Sequence, residues 1–406
     1  MSSLQAEADK MRDQVVDFCR RLIQTPSLPG AENTIAGIIQ AEMEHLGYDE
    51  VWDDAAGNII GRLEGTGGPA LMFNCHMDHV DPGDPSRWPV PPYAGQIVHG
   101  AIWGRGSVDV KGPLAAQVYG IGLLRAAGLM PAGDIFVTAV VMEEVGGIGA
   151  QTLLDTVRPD FAIVGEPTNL GIARGHRGRV ELIARVHGRA GHASAPQRAI
   201  NPHYGLARFL TALRHLDMRS SPDFGESTVA PTLYFTDQVS PNFIPGEAWA
   251  HLDWRNIPDE SPAEICQRLQ DVLTDCLEPE SEGFLIIPNQ TFDTYTGYTV
   301  TAPVVFPSFG LRVDHPFVEA AKRTLDLALA CDTPVTVWQF ANDGGHLMAA
   351  GIPTIGFAPG DERLAHTSNE HIAIDDLMAA VVGNAALARD LTTSLVQDHA
   401  VAITSD

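Results

Sequence analysis

The chain is short of cysteine, of positive charge and of long apolar runs, and each shortage removes a class of explanation. Its five cysteines (Cys19, Cys75, Cys266, Cys276, Cys331) are odd in number, scattered, and never at CxxC spacing. Neither a disulfide framework nor a thiolate zinc site is indicated, and a reducing compartment fits best. Lysine and arginine total 26 against 51 acids, a formal charge of −25. Such a surface repels nucleic acid and anionic membrane, so neither is expected as a partner. The N-terminal MSSLQAEADKMRDQ has no apolar signal core, and no window reaches the length of a membrane-spanning helix. A cytoplasmic location is expected. With 406 residues, the chain is long enough for two domains, each with its own core.

Apolar spacing predicts helices over residues 3–25 and 31–46, then short strands near Val51 and Asn58–Leu63. Leu71–Cys75, Ile135–Met142 and Phe161–Val164 are apolar runs, broken only by Asn74 and Thr138, as expected of strands buried on both faces. Helices are predicted between them at Lys111–Ala127 and Ile148–Thr156, an alternation that implies a mostly parallel α/β sheet. Near Gly178 the pattern changes. Arg179–His187 alternates apolar and polar residues, the mark of a half-exposed antiparallel strand. Pro202–His215 follows as a helix, then strands at Thr228–Asp237 and Glu247–Trp254. A helix opens after Ser261, an N-cap with Glu264 at N3, and a strand lies at Phe284–Pro288. The order β-α-β-β-α-β is that of a ferredoxin-like unit. After Tyr295 the α/β character resumes. The expected organisation is a discontinuous catalytic domain, residues 1–177 and 294–406, carrying an inserted α+β lid at 178–293.

Potential metal ligands collect where the buried strands end, the edge at which open α/β sheets bind ligands. One strand delivers His76 and Asp78, the next Glu143 and Glu144, the third Glu166 within GEPT, and Pro353–Phe357 leads on to His366. Asp109 follows a glycine-rich turn. Alternate strand residues share a face, so His76 and Asp78 project the same way, and a carboxylate beside an imidazole is a common orienting partner. Two imidazoles with several carboxylates suit two borderline-soft divalent ions, zinc first, with cobalt or manganese as alternatives. Two like cations close together need a bridging anion, which Asp109 could provide. Of the adjacent Glu143 and Glu144, one could bind metal and the other move protons.

HMD at 76–78, WPVPPY at 88–93, GRGSVDVKG at 104–112, EEVGG at 143–147, GEPT at 165–168, GHAS at 191–194 and AHTSNE at 365–370 together resemble the M20 metallopeptidases. That group includes aminoacylase, acetylornithine deacetylase, succinyl-diaminopimelate desuccinylase and carboxypeptidase G relatives. The resemblance covers nearly the whole chain. It implies that His76 and Glu166 hold one metal and Glu144 and His366 the other, with Asp109 bridging. It further implies that Asp78 orients His76 and that Glu143 is the general base and acid for a metal-activated water. The peptide after Asp109 is cis in relatives. His192 resembles a lid histidine that reaches a neighbouring subunit's active site, which implies a homodimer formed through the lid. Asn242 and Arg255 resemble lid residues that grip a substrate carboxylate. His99 and Val110 depart from the usual pattern without touching the ligand set. The expected activity is removal of an acetyl- or succinyl-type group from an N-acyl amino acid. A dipeptidase or carboxypeptidase, an N-carbamoyl amino acid hydrolase, and an inactive binder of peptides or acyl amino acids are the alternatives.

Overall fold

A nine-stranded sheet runs Glu50–Asp53, Ile59–Leu63, Gly133–Val140, Gly68–His76, Phe161–Val164, Thr354–Gly356, Ile172–His176, Phe309–Gly310, with Val335–Trp338 also paired to Ile172–His176. The computed structural model describes residues 3–393; residues 394–406, within the expected catalytic domain, lie outside the described residues. The central strands Gly133–Val140, Gly68–His76, Phe161–Val164 and Thr354–Gly356 pair in parallel. The Glu50–Leu63 edge and the pairings of Ile172–His176 with Thr354–Gly356 and Phe309–Gly310 are antiparallel. The expected parallel sheet is therefore the middle of a mixed one.

The apolar run Leu71–Cys75 explains the two layers around this sheet. Leu71, Phe73 and Cys75 pack into the larger core with helices Ser3–Ile23, Lys111–Ala126 and Ile374–Leu391. Met72, pointing the other way, joins a second core with Leu153, Trp338 and Leu347. A strand alternates its side chains across the sheet, so a strand covered on both sides is apolar on both, except where a buried polar group finds partners. Asn74 is that exception, donating to Asp343 Oδ2 at 3.2 Å and accepting from Thr138 Oγ1 at 2.8 Å. Burying each large side chain of the run stabilises the fold by roughly 1.5–3 kcal/mol.

A second sheet has the order Thr228–Thr236, Glu247–Arg255, Arg179–His187, Glu282–Ile286, all antiparallel. Val180, Leu182, Ala184 and Val186 are buried against helices Pro202–Ala212 and Pro262–Asp275, while the alternate residues face outward. This is the ferredoxin-like arrangement. Ser261 and Glu264 form the anticipated capping box, with N–H donations of 3.2 and 2.9 Å. Further along the chain, Val305–Phe306 pairs with Val180 and Arg179 of this sheet. The chain is thus an α/β protein with an inserted α+β lid.

Several strands escape the sequence pattern, a buried one and an exposed hairpin among them. Ile172–His176 is a buried strand whose sequence, IARGH, breaks the apolar run with Arg174 and Gly175. The hairpin Asn289–Asp293 with Thr299–Pro303 is mostly exposed and polar, so no core face marks it.

Candidate metal centre

Register brings the candidate ligands to one edge. His76 lies opposite Val140 and Asn74 opposite Val164, so the loops that follow leave the sheet side by side. Met77 N–H donates to Val140 O at 2.9 Å and Gly165 N–H to Asn74 O at 2.8 Å, carrying the pairing into the loops. Glu143 and Glu144 open the short turn Glu143–Gly146, closed by Gly147 in a left-handed conformation (φ 63°). A β-carbon at Gly147 would stand 2.6 Å from His346 Nε2 and 3.1 Å from Asp343 Oδ1, so only glycine fits there. Asp109 precedes helix Lys111–Ala126 in a loop whose Asp109–Val110 peptide is cis, as in the family the sequence resembles.

The side chains meet around Asp109. Its Oδ1 is 3.0 Å from His76 Nε2 and its Oδ2 3.0 Å from His366 Nε2. Glu166 Oε1 is 3.5 Å from His76 Nε2, and Glu144 Oε2 is 3.2 Å from His366 Nε2. Ligand atoms of His76, Asp109 and Glu144 lie within 4.8 Å of one another, as do those of His76, Glu143 and Glu166. The main-chain carbonyl of Asp78 is 3.0 Å from His76 Nδ1, with the carboxylate at 3.4 Å. A carbonyl only accepts, so Nδ1 carries the proton and Nε2 is the ring atom available to a metal.

Without cations this cluster is electrostatically costly. Burial pushes the carboxyls of Glu143 and Glu166 well above their usual range, and neighbouring acids add to it. Burial, then the charge of Asp109, raises Glu144 as well. Burial pushes Asp343, behind the site, up to about 7, with Asp78 contributing. Burial alone would depress His76, yet the carboxylates of Asp109, Asp78 and Glu166 hold it well above the usual imidazole range. Hydrogen bonds to Asp109 and Glu144 push His366 up to about 10. Among the described residues no lysine or arginine forms an ion pair with Asp78, Asp109, Glu143, Glu144, Glu166 or Asp343. Buried carboxylates in this number need compensating charge, and an oxygen-rich set with two imidazoles fits divalent ions such as zinc, cobalt or manganese.

The cluster opens into a cavity of about 330 Å³ that Arg179, Arg255, Phe306 and Phe340 also line. Arg255 is held by Asp253 through Nε at 2.6 Å and Nη2 at 3.1 Å. His192 and Asn242 are not in the cavity wall. They sit beside each other on the lid surface, where Ala193 N–H donates to Asn242 O at 3.0 Å and His192 Nδ1 lies 2.7 Å from Ser194 Oγ. A larger cavity of about 640 Å³, near Arg174 and Trp338, is lined by none of the candidate ligands.

A model of the peptidase family M20/M25/M40 matches residues 72–390. The chain belongs to this family. The protein YgeY of Escherichia coli is 29% identical over 373 residues, covering 89% of this chain and 91% of that protein. The succinyl-diaminopimelate desuccinylase of Rhodospirillum centenum is 32% identical over 310 residues, covering 70% and 80% respectively. Among solved structures, the dinuclear metal-binding M20 peptidase YxeP of Bacillus subtilis superposes with a TM-score of 0.70 at 16% identity, covering 96% of this chain and 99% of that one. At that identity the likeness is one of fold. Membership makes the chain an M20-type hydrolase and gives the family motifs in the sequence a common setting.

Several residues near the site were not singled out in the sequence. Arg179 begins a strand and reads as an outward polar position, with no signal that it borders the cavity. Phe306 and Phe340 lie in short segments without periodicity. Glu370 was visible only as the last letter of AHTSNE, yet it is fully buried.

Proposed function

We propose that this protein removes an acyl group, acetyl- or succinyl-type, from an N-acyl amino acid by metal-dependent hydrolysis of the amide bond. One observation carries this reading: the buried carboxylates around His76 and His366, which no lysine or arginine among the described residues pairs with, open directly into a cavity walled by Arg255. His76 and Glu166 would hold one divalent cation, Glu144 and His366 a second, with Asp109 shared; zinc is the first choice, cobalt or manganese the next. Bound there, such cations supply Lewis-acid polarisation of a carbonyl and acidify water.

The chain's own groups then divide the work. Glu143 borders the cavity and is outside the ligand pairs, so it takes the proton from the attacking water and returns it to the departing nitrogen. Asp78 holds the His76 ring and the Glu143–Glu144 turn. Arg255, its orientation fixed by Asp253, offers its remaining N–H groups to a substrate carboxylate.

His192 stabilises the developing oxyanion from a second subunit, and Asn242 joins Arg255 in gripping the substrate carboxylate. Their surface position supports this, as does the lid's edge strand Thr228–Thr236, which leaves Leu233, Tyr234 and Phe235 exposed. We therefore read the protein as a cytoplasmic homodimer joined through a lid spanning residues 178–293. The desuccinylase relative supports the acyl amino acid class over dipeptides.

The test is amine release from N-acetyl and N-succinyl amino acids against a dipeptide panel, with wild type and Glu143→Ala. Wild type should turn over the acyl substrates, and Glu143→Ala should lose roughly 10²- to 10⁴-fold while still binding metal. Amine release from dipeptides alone would move the protein to the peptidase reading. No release from any substrate would leave a binding role.

A further inference from the structure

The segment that delivers His366 also reaches, four residues later, the backbone of Asp109. Glu370 is completely buried and its carboxylate is fully engaged. Oε1 accepts the N–H groups of Val108 and Asp109 at 2.9 and 3.2 Å, and Oε2 is 2.5 Å from Arg105 Nη1. The Glu370 carbonyl accepts Gly104 N–H at 3.1 Å. Arg105 is buried in turn, its guanidinium 5.1 Å over the Trp88 ring, and its own N–H donates to Pro92 O at 2.8 Å. Downstream, Lys111 Nζ donates to Thr25 O at 2.7 Å.

A buried acid placed only to neutralise Arg105 would need one oxygen for it. Glu370 uses the other on the N–H of the residue whose two carboxylate oxygens stand 3.0 Å from His76 and from His366. Its contacts therefore fix the position of Asp109, and the Trp88–Arg105 stack fixes Glu370. The WPVPPY and GRGS stretches, which the proposed chemistry leaves without a task, supply that brace.

We infer that Glu370 is a positioning residue for Asp109, setting where the shared carboxylate stands between the two imidazoles. The inference rests on the proposed two-cation reading. Carboxyls that orient a ligand from behind typically change metal affinity 10- to 100-fold when altered.

The test measures cation binding by the folded protein, independently of turnover. Metal-free wild type, Glu370→Gln, Glu370→Ala and Arg105→Lys are titrated with Co²⁺ by calorimetry, alongside the Co²⁺ absorption spectrum and the fraction folded by circular dichroism. Glutamine keeps the size and one acceptor, so it should fold and bind the second equivalent roughly 10- to 100-fold more weakly, with an altered spectrum. Glu370→Ala, where folded, should be weaker still, and Arg105→Lys should shift the same way by less. Folded Glu370→Gln that binds two equivalents with wild-type affinity and spectrum would overturn the inference, even if it were less stable. Wild type that binds fewer than two ions would overturn the two-cation reading and this inference with it.

Discussion

Both carboxylate oxygens of Asp78 are occupied by backbone N–H groups of the neighbouring strand's loop: Oδ1 by Glu143 at 3.1 Å and Oδ2 by Glu144 at 3.2 Å. The same residue's carbonyl holds His76 Nδ1 at 3.0 Å. One fully buried aspartate therefore ties the imidazole to the turn that carries two acids. The sequence suggested an orienting partner for His76; the structure adds the link to Glu143 and Glu144.

Asp78→Asn keeps one acceptor and turns an amide NH₂ toward the other N–H. A buried donor left without a partner costs about 1–3 kcal/mol. The variant should unfold at lower denaturant and hydrolyse substrate roughly 10- to 100-fold more slowly, since second-layer metal partners act on that scale. Denaturant unfolding and steady-state kinetics check this; wild-type turnover in the folded variant would contradict it.

Arg255→Gln removes a cation whose free edge faces the cavity. A hydrogen bond to a charged group contributes about 1.5–3 kcal/mol, so kcat/KM should fall roughly 10- to 100-fold. The loss should lie mainly in KM, and esterifying the substrate carboxylate should cost wild type as much. An unchanged KM would remove Arg255 from substrate binding.

Stability of the metal-free protein should depend on pH through Glu32. This carboxyl is buried and accepts Met142 N–H at 3.2 Å; burial, then the charge of Asp78, pushes it up to about 7. The unfolded chain releases this proton near pH 4.5, whereas the folded chain keeps it to about 7. Within that window the native state binds more protons, so raising pH destabilises it, by on the order of 3 kcal/mol in total, with no further change above. Glu32→Gln retains the acceptor and removes the titration. Its stability relative to wild type should rise from pH 5 to pH 8 in urea unfolding with chelator; a constant difference would contradict the assignment.

His192 is tested by subunit mixing. His192→Ala and Glu143→Ala should each be nearly inactive. If the lid histidine serves the partner's site, dissociating and reassociating the two together should recover activity that neither has alone. No recovery in verified heterodimers would place His192 outside the reaction.

The fold was legible where one physical cause dominated. Leu71–Cys75 is apolar but for Asn74 because both of its faces are covered, and Arg179–His187 alternates because one is not. His76 ends a buried strand and Glu143 and Glu166 come just after two others, so their convergence could be read from strand ends. Ile172–His176 could not, because Arg174 serves contacts from outside the strand: its Nη1 donates to Leu311 O at 2.7 Å. Glu370 was hidden for a different reason. Its partners, Arg105 and Asp109, are 265 and 261 residues away, and no local pattern reports that pairing.

In the proposed function, the cluster around Asp109 holds two divalent cations and activity requires them. The direct measurement is metal content per chain by elemental analysis, coupled to amine release, for protein as purified, after chelation, and after stepwise return of Zn²⁺, Co²⁺ or Mn²⁺. Chelation should abolish activity, which should return as loading approaches about two ions per chain. Full activity in chelated, metal-free protein would contradict that requirement.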